Sequence, residues 1–427
     1  MSDKPSSLLP LPGFRDVFPE ALARRRRIFG VWREVAARYG FEEYDGPPLE
    51  ATELYTRKSG DEIVGQLYRF EDKGGRDVAL RPEMTPSLAR MVAQRAAALR
   101  KPIRWFSLPQ LFRYERQQRG RLREHFQLNM DIIGEAGPLA DAEVIAASVD
   151  IVRGLGFGPE DVRARLSDRR VLAAVLTDDL GVRAEELVGV LAGLDKFEKA
   201  PEATAEAVRS ALAGDAARAD AVMAFAERLG EPGALLDRPA AAPLRECVGA
   251  LGAMGLGAFV DVDFRIVRGL AYYTGMVFEL FDAGRSLRAI CGGGRYDTLL
   301  KQMGGADLPM VGFGMGDVVL GELIAGRDGP PVAEPTVAVF VATVSDDDRP
   351  EALRLAHALR ERGLGVEFSL KRQSIGKQLE LAVAHGARHA IVIGPDERAA
   401  GQAVVRSLTT KTEVRVPLDA LQRDYAF

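Results

Sequence analysis

Residues 106–134, FSLPQLFRYERQQRGRLREHFQLNMDIIG, constrain the fold more than any other stretch of the chain. His125, Gln127, Asn129 and Asp131 alternate with Phe126, Leu128, Met130 and Ile132. That is the period of two required of a β-strand with one apolar and one polar face. Upstream, Phe112 and Tyr114 alternate with Arg113 and Glu115, and the intervening loop carries Arg116, Arg119, Arg121 and Arg123 around Gly120. The pattern predicts two strands joined by a basic loop. An exposed, salt-bridged edge hairpin would fit it. A ligand fits it better, because Arg, Glu, Gln and Asp projecting from the middle of a sheet need partners there.

The rest of the chain surrounds this hairpin with both helices and strands, which predicts an α+β architecture. Pro19 suits the first turn of a helix in which Ile28, Val31, Trp32, Val35 and Ala36 fall on one face. The run Arg24 to Arg27 reads as the solvated side of that helix. Residues 40–50, with Pro47 and Pro48, read as extended, and 68–80 read as a hairpin turning at Gly74-Gly75. Arg81-Pro82-Glu83-Met84-Thr85 then leads into a helix whose first turn Glu83 and Thr85 could cap. Residues 141–155 predict an amphipathic helix. Residues 168–256 show repeated helical periodicity without strand-like runs, and read as a helical insertion between two halves of a sheet. Strands are expected again at 264–270 and 276–281, followed by Gly292-Gly293-Gly294 and a helix opening near Arg295. Three glycines in a row let backbone approach a ligand closely.

Residues 326–335 read as a Gly/Pro linker closing a unit of residues 1–325. The alternation of strands and helices over 336–427 predicts a separate α/β domain with a mostly parallel sheet and Ser374 as an N-cap. A lone dinucleotide fingerprint is missing from it. A net charge of −4 argues against whole-surface binding to nucleic acid, so any RNA contact must come from local basic patches, for which Lys371, Arg372 and Lys377 are candidates in this domain. Cys247 and Cys291 lie far apart with no CxxC or histidine pairing, which suggests neither a zinc site nor a disulfide framework. No apolar run approaches the ~20 residues of a membrane span. The N-terminus lacks the apolar core of a signal peptide. A reducing cytoplasm is the expected compartment.

The hairpin, with its F-R-x-E and basic loop, resembles the second signature motif of class II aminoacyl-tRNA synthetases. Arg-Pro-Glu-Met-Thr at 81–85, Arg-Gly-Leu-Ala-Tyr-Tyr-Thr-Gly at 268–275 and Ala-Ile-Cys-Gly-Gly-Gly-Arg-Tyr-Asp at 289–297 resemble blocks particular to histidyl-tRNA synthetases. The resemblance implies an antiparallel catalytic sheet flanked by helices and an anticodon-binding C-terminal domain. It implies the activation of L-histidine by ATP with Mg2+, followed by transfer to the 3′ end of tRNA(His), in a homodimer without a dedicated metal site.

Carried over residue by residue, the resemblance places Arg113 and Arg268 at the reacting groups. Arg113, Glu115, Arg121 and His125 would hold ATP, with His125 where an aromatic usually stacks on adenine. Glu83, Thr85, Gln127, Asp131, Arg268, Tyr272 and Tyr273 would hold histidine, and Arg116, Arg119 and Arg123 the acceptor end of tRNA. The sequence departs from the family pattern at four of these places. Asp131 stands where Glu is usual, Ala271 where Asp is usual and His125 where an aromatic is usual; and in Gly316-Asp317-Val318-Val319, Val319 replaces the arginine that ends the third motif. The last departure makes a non-catalytic relative, the histidine-sensing regulatory subunit of ATP phosphoribosyltransferase, the alternative reading.

Overall fold

The computed structural model describes residues 8–56, 64–116, 118, 120–268, 272–329 and 337–427. These divide into two compact units, Met1–Pro331 and Val332–Phe427. In chain order the strands of the first unit are β1 (Glu42–Glu43), β2 (Leu49–Ala51), β3 (Tyr68–Glu71), β4 (Asp77–Leu80), β5 (Ile103–Ser107), β6 (Gln110–Phe112), β7 (Glu124–Ile133), β8 (Val162–Asp168), β9 (Val260–Val262), β10 (Met276–Asp282), β11 (Cys291–Arg295) and β12 (Met310–Gly316). Strands β2, β4 and β3 form a small sheet. The others form a nine-stranded sheet in the order β1-β5-β7-β12-β11-β10-β8-β9, with β6 also paired to β7. Its central pairs are antiparallel, and only the outer β1–β5 and β8–β9 pairs run parallel.

The alternation along β7 decides which face of this sheet is the core. Leu128, Met130 and Ile132 are buried in one cluster with the helices Pro19–Arg38 and Pro138–Gly154. Phe126 meets Phe29 of the first helix edge-on at 5.2 Å. The polar residues of β7 are thereby turned to the opposite face. Helix Pro138–Gly154 covers the segment expected as an amphipathic helix at 141–155, but it is buried on nearly all sides. Its Asp141 and most of residues 140–152 are buried, because the sheet covers one side and helix Ala242–Ala253 and the first helix cover others. Asp141 is satisfied by Arg295, which also donates to the carbonyls of Glu135 and Gly137 at 3.0 and 3.1 Å.

Several local expectations change for tertiary reasons. The three glycines sit inside β11 and are not a turn, and Arg295 ends that strand; only a short helix, Leu299–Gln302, follows. Strand β9 ends at Val262, and residues 264–268 of the strand expected at 264–270 do not form one. Buried Asp263 turns to accept from Arg165 and from the Arg265 backbone, which breaks the extended run. Residues 269–271 lie outside the described residues. The Arg24–Arg27 run is not a purely solvated face. Arg25 lies 3.5 Å from Asp317 and over the Phe126 ring, and Arg27 pairs with Asp328 at 2.8 Å. Both tie the first helix to the helix Asp317–Asp328.

Between β8 and β9 the chain forms helices Arg169–Ala174, Ala184–Leu194, Pro201–Ala211, Ala216–Glu227 and Ala242–Ala253. Arg165 on β8 clamps this insertion to the sheet by pairing with Asp263 at 2.5 Å and Glu198 at 2.9 Å. Helix Asp317–Asp328 runs into the segment expected as linker, and residues 330–336 of that segment lie outside the described residues.

The second unit holds β13 (Val339–Thr343), β14 (Val366–Phe368), β15 (His389–Ile393), β16 (Gln402–Ser407) and β17 (Glu413–Pro417) in the order β14-β13-β15-β16-β17. Its first three strands are parallel and its last two antiparallel, so the sheet is mixed rather than mostly parallel. Ser374 precedes the helix Ile375–Ala384 but makes no side-chain cap bond.

Candidate active site

Two cavities open on the polar face of the first unit's large sheet. The larger, about 800 Å³, lies beyond the β6–β7 hairpin and is bordered by β11, β12 and the loop between β10 and β11. The smaller lies deeper, against β7 and β12, and includes Glu83, Thr85, Asn129, Asp131, Tyr272, Tyr273 and Tyr296. Arg113, Gln127 and Arg268 line both. Any pair of ligands filling the two would meet at these side chains.

Arg268 is the most constrained of the three. Its backbone is in the left-handed region, φ +54°, where a β-carbon is strained. Its guanidinium reaches Glu279 at 3.1 Å and the Phe278 carbonyl at 3.4 Å, and lies 5.6 Å from the Tyr273 ring centroid. Its Nε is buried and finds no hydrogen-bond partner among the described residues. The guanidinium lies directly over Gly292, where a β-carbon would come within 1.4 Å of Nη1. Arg113 leaves β6 just after Phe112, and its Nε donates to the Pro82 carbonyl at 2.9 Å. That bond fixes the guanidinium at the junction.

The deep cavity sets carboxylates and amides among aromatic rings. Asp131 is buried and accepts from the Tyr296 hydroxyl. Burial pushes its carboxyl up to about 7, against the opposing pull of that hydrogen bond. A side chain at Gly312 would collide with Asp131 and Tyr296, and one at Gly314 with Gln127, so these glycines keep the pocket open. Tyr272, Tyr273 and Tyr296 form a ring cluster with centroids 5.1 to 6.2 Å apart, and the Tyr272 hydroxyl reaches Glu83 at 3.5 Å. Glu83 and Thr85 do not cap the following helix. Met84 is at its N-cap position and no side-chain cap bond forms.

The large cavity is cationic. Arg113, Arg121, Lys199, Arg268 and Arg288 line it, against Glu115, Glu279 and Glu322. Glu115 pairs with Arg121 at 2.5 Å. His125 faces the cavity, and burial together with Arg113, Arg15 and Arg121 pushes its imidazole down to about 3, so it stays neutral at physiological pH. A neutral ring can lie flat on another. Of the loop arginines, Arg116 is exposed. Arg119 lies outside the described residues. Arg123 stacks 4.2 Å from the Tyr114 ring and donates to the Glu115 carbonyl, so it is held inward.

Every residue that the resemblance assigned to ATP or histidine lines one or both cavities. The sequence reading missed Asn129, Tyr296, Glu279 and Arg288. The alternation along β7 already placed Asn129 on the polar face. Tyr296 lies in the quoted block at 289–297 and meets Asp131 165 residues away, whereas nothing local marks Glu279 and Arg288.

A family model described as histidyl-tRNA synthetase matches residues 13–316, and one described as an anticodon-binding domain matches residues 338–423. The histidine–tRNA ligase of Opitutus terrae is 44% identical to this chain over 96% of each. The chloroplastic/mitochondrial histidine–tRNA ligase of Arabidopsis thaliana is 39% identical over 97% of this chain and 86% of its own. The crystal structure of apo histidyl-tRNA synthetase from S. aureus superposes with a TM-score of 0.74 at 26% identity, covering 97% of this chain and 99% of that one.

Proposed function

The chain belongs to the histidyl-tRNA synthetase family, and from that premise we propose which of its residues carry the reaction. The enzyme activates histidine with ATP and charges tRNA. A regulatory, non-catalytic role is not favoured, since the matched relatives are ligases over nearly the whole chain and the C-terminal unit matches an anticodon-binding domain.

The reading of the site rests on one observation: two cavities of different chemistry meet at Arg113, Gln127 and Arg268. Histidine fits the deep one. Its imidazole would lie among Tyr272, Tyr273 and Tyr296, with one ring N–H donating to Asp131. Its ammonium would sit near Glu83, Thr85 and Gln127, and its carboxylate would face the junction. ATP fits the large one, whose cations outnumber its carboxylates. The adenine would pack near His125 and Glu115, and the phosphates would lie towards Arg113 and Arg121. Mg2+ would enter with the phosphates and offset their charge.

A carboxylate oxygen of histidine attacks the α-phosphorus, the bond from that phosphorus to the bridging oxygen breaks, and pyrophosphate leaves. Negative charge builds at the α-phosphate in the transition state. Arg113 and Arg268, both fixed beforehand by the Pro82 carbonyl and by Glu279, lie where it builds, so no reorganisation is needed as the reaction proceeds. A terminal hydroxyl of tRNA(His) then attacks the carbonyl and AMP leaves. Exposed Arg116 would contact the acceptor end, and the resemblance implies the same for Arg119, which lies outside the described residues. Arg123 supports the loop by stacking on Tyr114.

The active form is proposed to be a homodimer in the cytoplasm, a compartment that suits two buried free thiols. Pyrophosphate exchange measured across the amino acids tests the reading. Exchange dependent on histidine alone supports it, and exchange with another amino acid, or with none, overturns it.

A further inference from the structure

The large cavity holds a cation that the mechanism above does not use. Arg288 stands at its mouth, on the loop joining β10 to β11. Among the described residues it pairs with no carboxylate; its one hydrogen bond goes to the Gln118 side chain at 3.3 Å. Burial and the neighbouring Arg121 both hold its guanidinium below the ordinary value. Glu115 and Glu279 pull the other way, but Glu115 is paired with Arg121 and Glu279 with Arg268, so the cavity keeps an excess of positive charge that an anion would relieve.

The loop is built to hold Arg288 still. Buried Asp282 accepts from the Ser286 amide at 2.8 Å, the Ser286 hydroxyl at 2.9 Å and the Leu287 amide at 3.0 Å. The Ile290 amide donates to the Leu280 carbonyl at 2.7 Å. The residues on both sides of Arg288 are therefore fixed. The location matters too. A β-carbon on Gly120 would meet Val319 Cγ2 at 3.4 Å and Arg288 Cδ at 3.6 Å. The arginine stem and the valine thus border the same glycine in one cavity, and Val319 stands where the family pattern has an arginine.

We propose that Arg288 binds the outer phosphates of ATP, supplying from the β10–β11 loop the guanidinium that the junction lacks at Val319. The inference rests on reading the large cavity as the ATP site. An arginine fork matches phosphate oxygens in bidentate fashion. Arg113 lies deeper, at the junction with the amino-acid cavity, which leaves the mouth for the β- and γ-phosphates.

The test compares ATP, AMP and histidine affinities of the full-length protein carrying Arg288→Ala or Arg288→Gln with those of the parent, by calorimetry. Circular dichroism and thermal melting check that each variant is folded. The side chain is exposed and makes one weak hydrogen bond, so both variants should fold. The expected result is ATP binding weakened by about tenfold, as for loss of a charge-assisted contact, with AMP and histidine affinities within about twofold of the parent. Unchanged ATP affinity in both variants overturns the proposal, and so does an equal loss for ATP and AMP. Histidine-dependent pyrophosphate exchange by the parent is measured alongside. Its absence would strike the functional reading, whereas the ATP-against-AMP difference reports on Arg288 whatever amino acid the protein uses.

Discussion

Substituting Gly292 tests the link between the sheet and the chemistry most directly. The Arg268 guanidinium lies on the backbone of β11 because position 292 has no side chain. In Gly292→Ala the new β-carbon would stand 1.4 Å from Nη1 and 2.5 Å from Cζ. To restore ordinary contact the guanidinium must retreat by roughly 2 Å. It cannot do so and keep both the 3.1 Å contact with Glu279 and the 3.4 Å bond to the Phe278 carbonyl. A displacement of even ~1 Å in a transition-state partner costs about 10²-fold in rate, or about 2.7 kcal/mol of barrier. Single-turnover adenylation should therefore slow by ~10²-fold or more, close to the effect of removing the charge in Arg268→Ala. Stability should change by no more than about 1 kcal/mol, because alanine suits a strand better than glycine does. If the damage runs through the guanidinium, Gly292→Ala combined with Arg268→Ala should be no slower than Arg268→Ala alone. Adenylation within threefold of the parent, or additive losses in the double variant, would refute the reasoning.

Asp131→Asn should raise KM for histidine at least tenfold and leave KM for ATP within about twofold, as checked by exchange kinetics; equal damage to both would make Asp131 structural. Because the Asp131 carboxyl is raised to about 7, it is neutral below that pH and an acceptor above it. Histidine kcat/KM should thus rise as pH increases through about 7, and Asp131→Asn should lose that limb while keeping the one from free histidine near ~6.5. The same raised value means that Asp131 favours folding most below the unfolded value of ~3.9, and that this share is lost as pH rises through about 7. The ligand-free Asn variant should therefore melt no lower than the parent at pH 8. A chain ending at Gly329 should keep histidine-dependent exchange and lose most tRNA charging, since the second unit is a separate compact body and its RNA contact adds to the one at the Arg116 loop; undiminished charging would remove the second unit from tRNA binding. Gly321→Ala, within the helix Asp317–Asp328 where a β-carbon meets nothing within 4 Å, should stabilise the protein by ~0.5–1 kcal/mol in urea unfolding, and destabilisation would show a contact the geometry lacks.

The sequence by itself determined what depends on neighbours along the chain. The alternation of His125, Gln127, Asn129 and Asp131 with apolar residues assigned a strand and its functional face, since side-chain direction in a strand follows position parity. Pro19 opened a helix, with Ile28, Trp32, Val35 and Ala36 buried as the spacing requires. The helical insertion was legible from periodicity, and the contents of both cavities were largely legible from motif likeness. Only the tertiary structure decided what depends on elements brought together from far apart. It buried the helix Pro138–Gly154 on nearly all sides, because three neighbours happen to cover it, and it placed the glycine triplet within a strand under Arg268. It brought Tyr296 to Asp131 and set Arg288 and Val319 against the same glycine, Gly120. None of these pairings leaves a local periodic trace. Each arises from contacts between segments apart along the chain, by as much as 165 residues for Tyr296 and Asp131.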